Sequence, residues 1–393
     1  MKGKASPYLL IILLGGMMFN SSCKPDEEEP LPVQKWNAEH RNHTDLDYRY
    51  KILDMSFYSE SVGWAVGDAN WSLFRFNGKH WELQSNQTTW AGGLTSVCTV
   101  NDTLVFLASE KGGFRDSSGT EWVGMNIQRS KDGGVTWKHV YNQTDPDIRI
   151  TKFFFVNERV GFGLKGNPDA KPGINTVILR TTDGGETWDN PLVDQGGDDW
   201  RFTDVHFWDE EHGILCGVTR TAGLIFTTDD GGSTWTRHHT GSGVFEPLFD
   251  LEVTDQRVFA SAKDKLYRSD DGGVSWQVIS DMSALPYKHD HLFTKFTSNK
   301  VGYAFGAGTG PIEDNYCSDL LRTEDGGQTW TRLYLNKQAQ AQRGIDKFIA
   351  PDDAWIWPNT QDVWVYGHAV DPVNHTGTVI GYFGQLFFFQ SWN

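Results

Sequence analysis

An eight-residue pattern, Ser/Thr-x-Asp-x-Gly-x-Thr/Ser-Trp, occurs five times in this chain of 393 residues. The copies are Ser130–Trp137, Thr181–Trp188, Thr228–Trp235, Ser269–Trp276 and Thr323–Trp330. Their tryptophans are spaced by 51, 47, 41 and 54 residues. A period of 40–50 residues marks an architecture in which one small supersecondary unit is repeated and stacked, a solenoid or a propeller. The composition fits short strands joined by tight turns, with 42 Gly, 17 Trp and only 14 Pro. It excludes a helical bundle, a coiled coil and a multi-span membrane protein.

The chemistry of the unit is local. Asp-Gly-Gly suits a hairpin turn, because Gly adopts positive φ at no steric cost. The carboxylate can accept backbone N–H groups of its own turn, the hydroxyl residues can close the same loop, and the Trp can cover it. Strand-like runs precede the copies at Asn175–Arg180, Leu224–Thr227, Lys265–Arg268 and Leu320–Arg322. The motif therefore joins two neighbouring strands.

A second element stands upstream of each copy: an extended run ending in an aromatic, a turn, then Gly and an aromatic. It reads Ile52–Trp64, Ile150–Phe162, Phe202–Gly213 and His291–Tyr303, with a shorter version at Leu251–Phe259 and a divergent one at Ile345–Trp357. Residues 50–390 then hold about seven units of this period. The first carries a decayed motif at Phe76–Trp81, with Asn77 in place of Asp. The last, about Arg343–Trp392, has none but offers a strand pair at Val379–Tyr382 and Gln385–Gln390.

These octets resemble the Asp-box, or bacterial neuraminidase repeat. Combined with the Gly-aromatic element, over roughly residues 50–335, they resemble the photosystem II stability/assembly factor family. The resemblance implies an all-β fold, a seven-bladed β-propeller with Asp-box hairpins, six or eight blades being the alternatives. It also implies that Asp132, Asp183, Asp230, Asp271 and Asp325, with Trp137, Trp188, Trp235, Trp276 and Trp330, serve folding at the blade periphery rather than catalysis.

The chain opens with a leader. Lys2 and Lys4 precede an apolar run, Tyr8–Phe19, too short to span a bilayer, then Asn20-Ser21-Ser22 and Cys23. This resembles a bacterial lipoprotein signal, with residues 1–22 removed and Cys23 lipidated; the alternative is a plain secretory peptide. Lys24 and the acidic, Pro-flanked tract that follows make residues 23–45 an expected tether, resembling the export signal of surface lipoproteins in the Bacteroidetes. The propeller is then expected over 46–393, held to the outer membrane through a lipid anchor only and facing outward. Cys98 and Cys216 sit in apolar strand-like runs and read as small buried hydrophobes; with Cys317 they make an odd number, and no spacing suggests zinc.

The formal net charge of −16 argues against a nucleic-acid partner, whose binding rests on Lys and Arg. A sialidase would need a set of three Arg, a Tyr/Glu pair and an Arg-Ile-Pro signature, whereas Arg149-Ile150 is followed by Thr151. His289-Asp290-His291 and His238-His239 are local clusters without metal-site spacing, and no cofactor or metal is expected. Counting back twelve residues from Gly63, Gly161 and Gly213 gives Lys51, Arg149 and Arg201, with Arg343 in a similar place before Ile345. Nine back stand Asp54, Lys152 and Asp204, expected at the central channel. Equivalent positions fall on one face, so the cations form a candidate anion- or peptide-binding arc; the alternative is that they pair with neighbouring acids. In the resembling family an Arg-rich face docks a client polypeptide. Inserts at Glu110–Thr120, Gly166–Asn175 and Gly306–Tyr316 should decorate one rim. Trp200, Trp122 and Trp71 could stack on sugars or pack against loops.

The resulting expectation is a non-enzymatic surface lipoprotein that acts as a binding or assembly platform for a protein or peptide, such as an outer-membrane complex. The alternative is a glycan-binding or glycoside-hydrolase protein, sialidase-like, of a polysaccharide-uptake system.

Overall fold

The computed structural model describes residues 36–39, 52–59, 61–67, 73–77, 81–84, 93–115, 121–144, 148–166, 177–190, 200–219, 221–238, 246–254, 257–281, 288–296, 298–309, 317–332, 348–356, 363–370 and 383–391. The described elements are all strands, and they form an all-β propeller built from antiparallel sheets.

Six sheets are each made of consecutive strands. Sheet 1 runs through Ile52–Ser59, Val62–Gly67, Leu73–Phe76 and Trp81–Leu83. Sheet 2 has Leu94–Thr99, Val105–Arg115, Glu121–Ser130 and Lys138–Gln143. Sheet 3 has Arg149–Phe155, Gly161–Gly166 and Val177–Thr181. Sheet 4 has Arg201–Phe207, Gly213–Val218, Gly223–Thr228 and Thr236–His238. Sheet 5 has Asp250–Val253, Val258–Ser261, Lys265–Ser269 and Gln277–Asp281. Sheet 6 has Lys288–Phe296, Gly302–Thr309, Cys317–Thr323 and Thr331–Arg332. The first strands of successive sheets lie side by side.

A further sheet, sheet 7, is assembled from both ends of the described chain. Phe348–Ile356, Val363–Val370 and Phe383–Ser391 are consecutive, but its outer strand is Trp36–Glu39, antiparallel to Phe383–Ser391 with Trp36 opposite Ser391. Two expectations change here. Trp36–Glu39 falls in the stretch expected as tether yet belongs to a sheet. The span Ile345–Trp357, expected as strand, turn and strand, contains one continuous strand. Val379–Tyr382 lies outside the described residues, whereas Gln385–Gln390 is inside a strand as expected.

The core is a series of layers between sheets. Trp64, Val66 and Leu73 of sheet 1 pack on Leu94, Val97, Val105 and Leu107 of sheet 2. Phe162, Leu164 and Ile178 of sheet 3 meet Phe202, Val205 and Phe207 of sheet 4. Ile214, Cys216 and Ile225 of sheet 4 meet Leu251, Val258 and Ala260 of sheet 5. Aromatic stacks recur at one register position: Phe106 on Phe155 at 4.3 Å, Phe162 on Phe207 at 3.8 Å and Phe259 on Phe296 at 3.7 Å between ring centroids.

The Gly of the Gly-aromatic element has a steric reason. Phe155 lies over Gly161 so closely that a Cβ there would sit 2.3 Å from the ring, and Phe207 crowds Gly213 the same way at 2.5 Å. The Phe at the end of the first strand thus folds over its own hairpin and presents its other face to the preceding sheet.

Candidate functional site

The Asp-boxes are the most regular polar constellation. Each links the third strand of its sheet to the segment that follows, at the end of the sheet carrying the first hairpin. In the copy at Ser130–Trp137, Asp132 Oδ1 accepts the Thr136 N–H at 2.8 Å and Oδ2 accepts the Thr136 hydroxyl at 2.5 Å. Ser130 Oγ donates to Asp132 Oδ1 at 2.8 Å and accepts the Gly134 N–H at 2.8 Å. Asp183, Asp230, Asp271 and Asp325 repeat the arrangement with Thr187, Thr234, Ser275 and Thr329. The indole N–H of Trp137, Trp235, Trp276 and Trp330 donates to the carbonyl of the second box Gly. In Asp132, Asp183 and Asp230 these hydrogen bonds, led by the Thr hydroxyl, hold the carboxyl below its ordinary range. In Asp271 and Asp325 burial pushes upward most strongly, yet the turn's bonds outweigh it. Both oxygens of each box carboxylate are spent inside its own turn. The decayed copy forms a hairpin too, Phe76 opposite Trp81, with Asn77 Nδ2 donating to Glu82 at 2.6 Å.

Each box is also fastened to its surroundings. In four copies the first Gly donates its N–H to the hairpin between the first two strands of its own sheet: Gly133 to Thr103 O, Gly184 to Arg159 O, Gly231 to Glu211 O and Gly326 to Lys300 O, all at 2.8–2.9 Å. The second Gly docks on the preceding sheet, Gly134 on Trp64 and Gly185 on Phe106. Sequence reasoning missed a further part. Arg129, just ahead of one box, donates to Gly184 O at 2.6 Å and to Glu186 Oε1 at 2.5 Å in the next. Lys138, Arg129 and Lys131 together hold the Glu186 carboxyl down to about 2. Arg180 likewise reaches Ser233 of the next box at 3.2 Å. Arg129, Arg180, Arg268 and Arg322 all stand one residue before a box, a recurrence visible in the sequence.

A second polar constellation runs along the first strands. Asp54 of sheet 1 accepts the Ser96 hydroxyl at 2.7 Å and the Val97 N–H at 2.9 Å in sheet 2. Lys152 of sheet 3 meets Asp204 of sheet 4 at 3.0 Å, and Asp204 accepts the Leu251 N–H of sheet 5 at 3.1 Å. Asp250 of sheet 5 accepts the Thr294 N–H of sheet 6 at 3.4 Å. In register terms Asp54, Asp204 and Asp250 are one position, each taking the N–H of the next first strand. Asp54, Lys152 and Asp204 were expected at the channel; Asp54 and Asp204 span seams between sheets, and Asp204 is 3% exposed. Burial works against the Asp204 anion, but Lys152, Lys295 and the Leu251 N–H keep its carboxyl below the usual range. His206 beside it is pushed down to about 4 by burial.

The cationic arc is only partly in view. Lys51 and Arg343 lie outside the described residues, as does Cys23. Arg149 and Arg201 open the first strands of sheets 3 and 4, opposite Gly166 and Val218. They therefore stand at the same end of neighbouring sheets, the end where the second and third strands connect and where the expected inserts fall. Both are half-buried, and Arg149 pairs with Glu110 at 2.9 Å. The insert at Glu110–Thr120 is largely an extension of a hairpin, with Arg115 opposite Glu121. Trp200 is not an exposed sugar platform: it is 5% exposed, packed on Phe226 and covered by Arg237 at 5.2 Å. Trp71 lies outside the described residues. Among the described residues no group of three or more His, Cys, Asp or Glu could hold a metal ion. Cys98 and Cys216 carry free thiols in apolar surroundings, and burial pushes Cys98 up to about 12.

The family model for photosynthesis system II assembly factor YCF48 matches residues 172–244, the span of the second and third boxes. Among solved structures, "YCF48 bound to D1 peptide" superposes with a TM-score of 0.58 at 17% identity, covering 93% of this chain and 99% of that one. YCF48 from Cyanidioschyzon merolae gives 0.56 at 12% identity, covering 91% and 98%. A GH74 xyloglucanase from Xanthomonas campestris gives 0.56 at 13% identity, covering 89% of this chain and 55% of the enzyme. No curated protein sequence matches. At these identities the likeness establishes the fold: the chain is a propeller with the Asp-box repeat, similar to the YCF48 assembly factors.

Proposed function

We propose that this chain is a non-catalytic binding platform: a ring of seven blades, anchored at the outer membrane by a lipid on Cys23, whose cationic end docks a protein or peptide. The observation that carries the reading is the likeness, along nearly the whole of both chains, to a propeller solved with a peptide bound. The blade count is supported by the described sheets, since the first strand of sheet 7 lies beside those of sheets 6 and 1. Sheet 7, with an outer strand from the N-terminal side, would close the ring.

The polar groups favour docking over catalysis. A glycosidase needs two carboxyls free to exchange protons or attack across a sugar bond. The box carboxylates are consumed in their turns, and Asp204 and Asp250 accept backbone N–H groups of the next strand. Arg149 and Arg201 stand at one end of adjacent sheets, and Arg suits bidentate recognition of carboxylates. The ligand class is therefore an extended peptide bearing carboxylates. The xyloglucanase likeness keeps glycan binding as the second reading.

The test uses the full chain with two panels, synthetic extended peptides with and without acidic residues and soluble polysaccharides. Saturable binding of acidic peptides with no release of reducing sugar supports the platform. Sugar release with no peptide binding overturns it.

A further inference from the structure

The seam between sheets 5 and 6 holds a carboxyl, Asp250, with no cation closer than 3.9 Å among the described residues. Three carboxyls come close together around this seam, the buried Asp204 of sheet 4 and Asp250 and the half-buried Glu252, with Lys152 of sheet 3 and Lys295 of sheet 6. Lys152 Nζ is 3.0 Å from Asp204, and Lys295 Nζ is 2.5 Å from Glu252. Asp250 has a lysine only at 3.9 Å, and its backbone donor, the Thr294 N–H, is long at 3.4 Å. Two hydroxyls flank it. Ser261 is its cross-strand partner, so the two side chains share one face of the sheet. Thr294 is the residue whose N–H it accepts. Ser261 is 0% and Thr294 1% exposed, and neither hydroxyl has a hydrogen-bond partner among the described residues.

We propose that Asp250 holds a proton at neutral pH and serves as a pH-sensitive latch across the seam between sheets 5 and 6. A buried carboxylate without a close cation is costly. A neutral carboxyl removes that charge, and with three carboxyls facing two lysines Asp250 is the one left without a close cation. Facing Asp250 are Asp204, Lys152 and the Cys216 thiol from sheets 3 and 4, Glu252 from its own strand and Lys295 from sheet 6. Burial is the largest influence. With Asp204 and Glu252 it raises the Asp250 carboxyl well above the ordinary range, against the pull of Lys295 and Lys152. The folded chain then holds a proton the unfolded chain has released. Between the unfolded value, about 3.9, and the folded one, stability falls as pH rises, by about tenfold in the folding equilibrium constant per pH unit.

Infrared spectroscopy of the full chain tests this directly. The expected result at neutral pH is a protonated-carboxyl C=O band that is lost in Asp250→Asn, kept in Glu252→Gln, and titrated away at higher pH as Tm falls. Asp250→Asn should also flatten the decline of Tm with pH. No such band in the wild-type protein, or a band that survives Asp250→Asn, would overturn the latch. If either variant fails to fold, the wild-type titration decides: a band vanishing together with the Tm decline supports it, and an absent or non-titrating band rejects it.

Discussion

Lys152 and Asp204 form an ion pair at 3.0 Å across the seam between sheets 3 and 4, and the same carboxylate takes the Leu251 N–H of sheet 5. One side chain thus holds three successive first strands. Removing one partner of a buried pair leaves the other uncompensated, which costs more than the pair itself contributes. Because Lys152 is one-third exposed, part of that cost is screened. Asp204→Ala should therefore lose about 2–3 kcal/mol in urea unfolding, at the lower end for a broken buried pair.

Two adjacent glycines of one box separate backbone strain from crowding. Gly272 (φ 72°) has nothing within 4 Å of a built Cβ, whereas Gly273 (φ 95°) would place one 2.5 Å from Ile214. Gly272→Ala should cost only left-handed strain, about 1 kcal/mol. Gly273→Ala adds a clash with the preceding sheet and should cost about 2–4 kcal/mol. Thermal denaturation of the two variants measures the difference; equal shifts would mean the box does not dock between sheets.

Acid should loosen the boxes. Asp132, Asp183, Asp230, Asp271 and Asp325 all titrate below the ordinary carboxylate value in the folded chain. Depressed carboxyls contribute stability that is present above the unfolded value and lost as pH falls through the folded one. The stability drop from this source is expected below about pH 4, opposite in sign to that of Asp250. Circular dichroism melts across acid pH check it, and Asp183→Asn should shrink the drop.

The outer strand of sheet 7 comes from Trp36–Glu39, so removing residues 33–39 bares the edge of Phe383–Ser391. The shortened chain should melt several degrees lower and aggregate more readily, as exposed strand edges do. An unchanged melt would show that the N-terminal strand does not hold the ring.

The boxes were legible because the bonds that shape the turn are short-range: Asp, hydroxyl and Trp make them within eight residues, whereas the docking of the two Gly on other strands was not visible. The Gly-aromatic element was visible as a pattern, but its cause, a Phe ring folded over the Gly, appears only in three dimensions. Trp36–Glu39 was invisible as a strand, since four residues carry no periodicity and their partner lies at the far end of the chain. Trp200 was left open between an exposed platform and a packed ring, because the strands that enclose it, carrying Phe226 and Arg237, lie more than 25 residues away. Asp54 and Asp204 were found by register, but their backbone acceptor role was not, because the donor belongs to a strand more than 40 residues away.

The central claim is that the end of the ring carrying Arg149 and Arg201 docks a peptide. Titration of a fluorescent acidic peptide into wild-type protein and the Arg149→Glu/Arg201→Glu double variant tests it most directly. The account predicts at least tenfold weaker binding in the variant, about 1.4 kcal/mol, at matched Tm and with a steeper salt dependence in the wild type. Equal affinity for both proteins would contradict it.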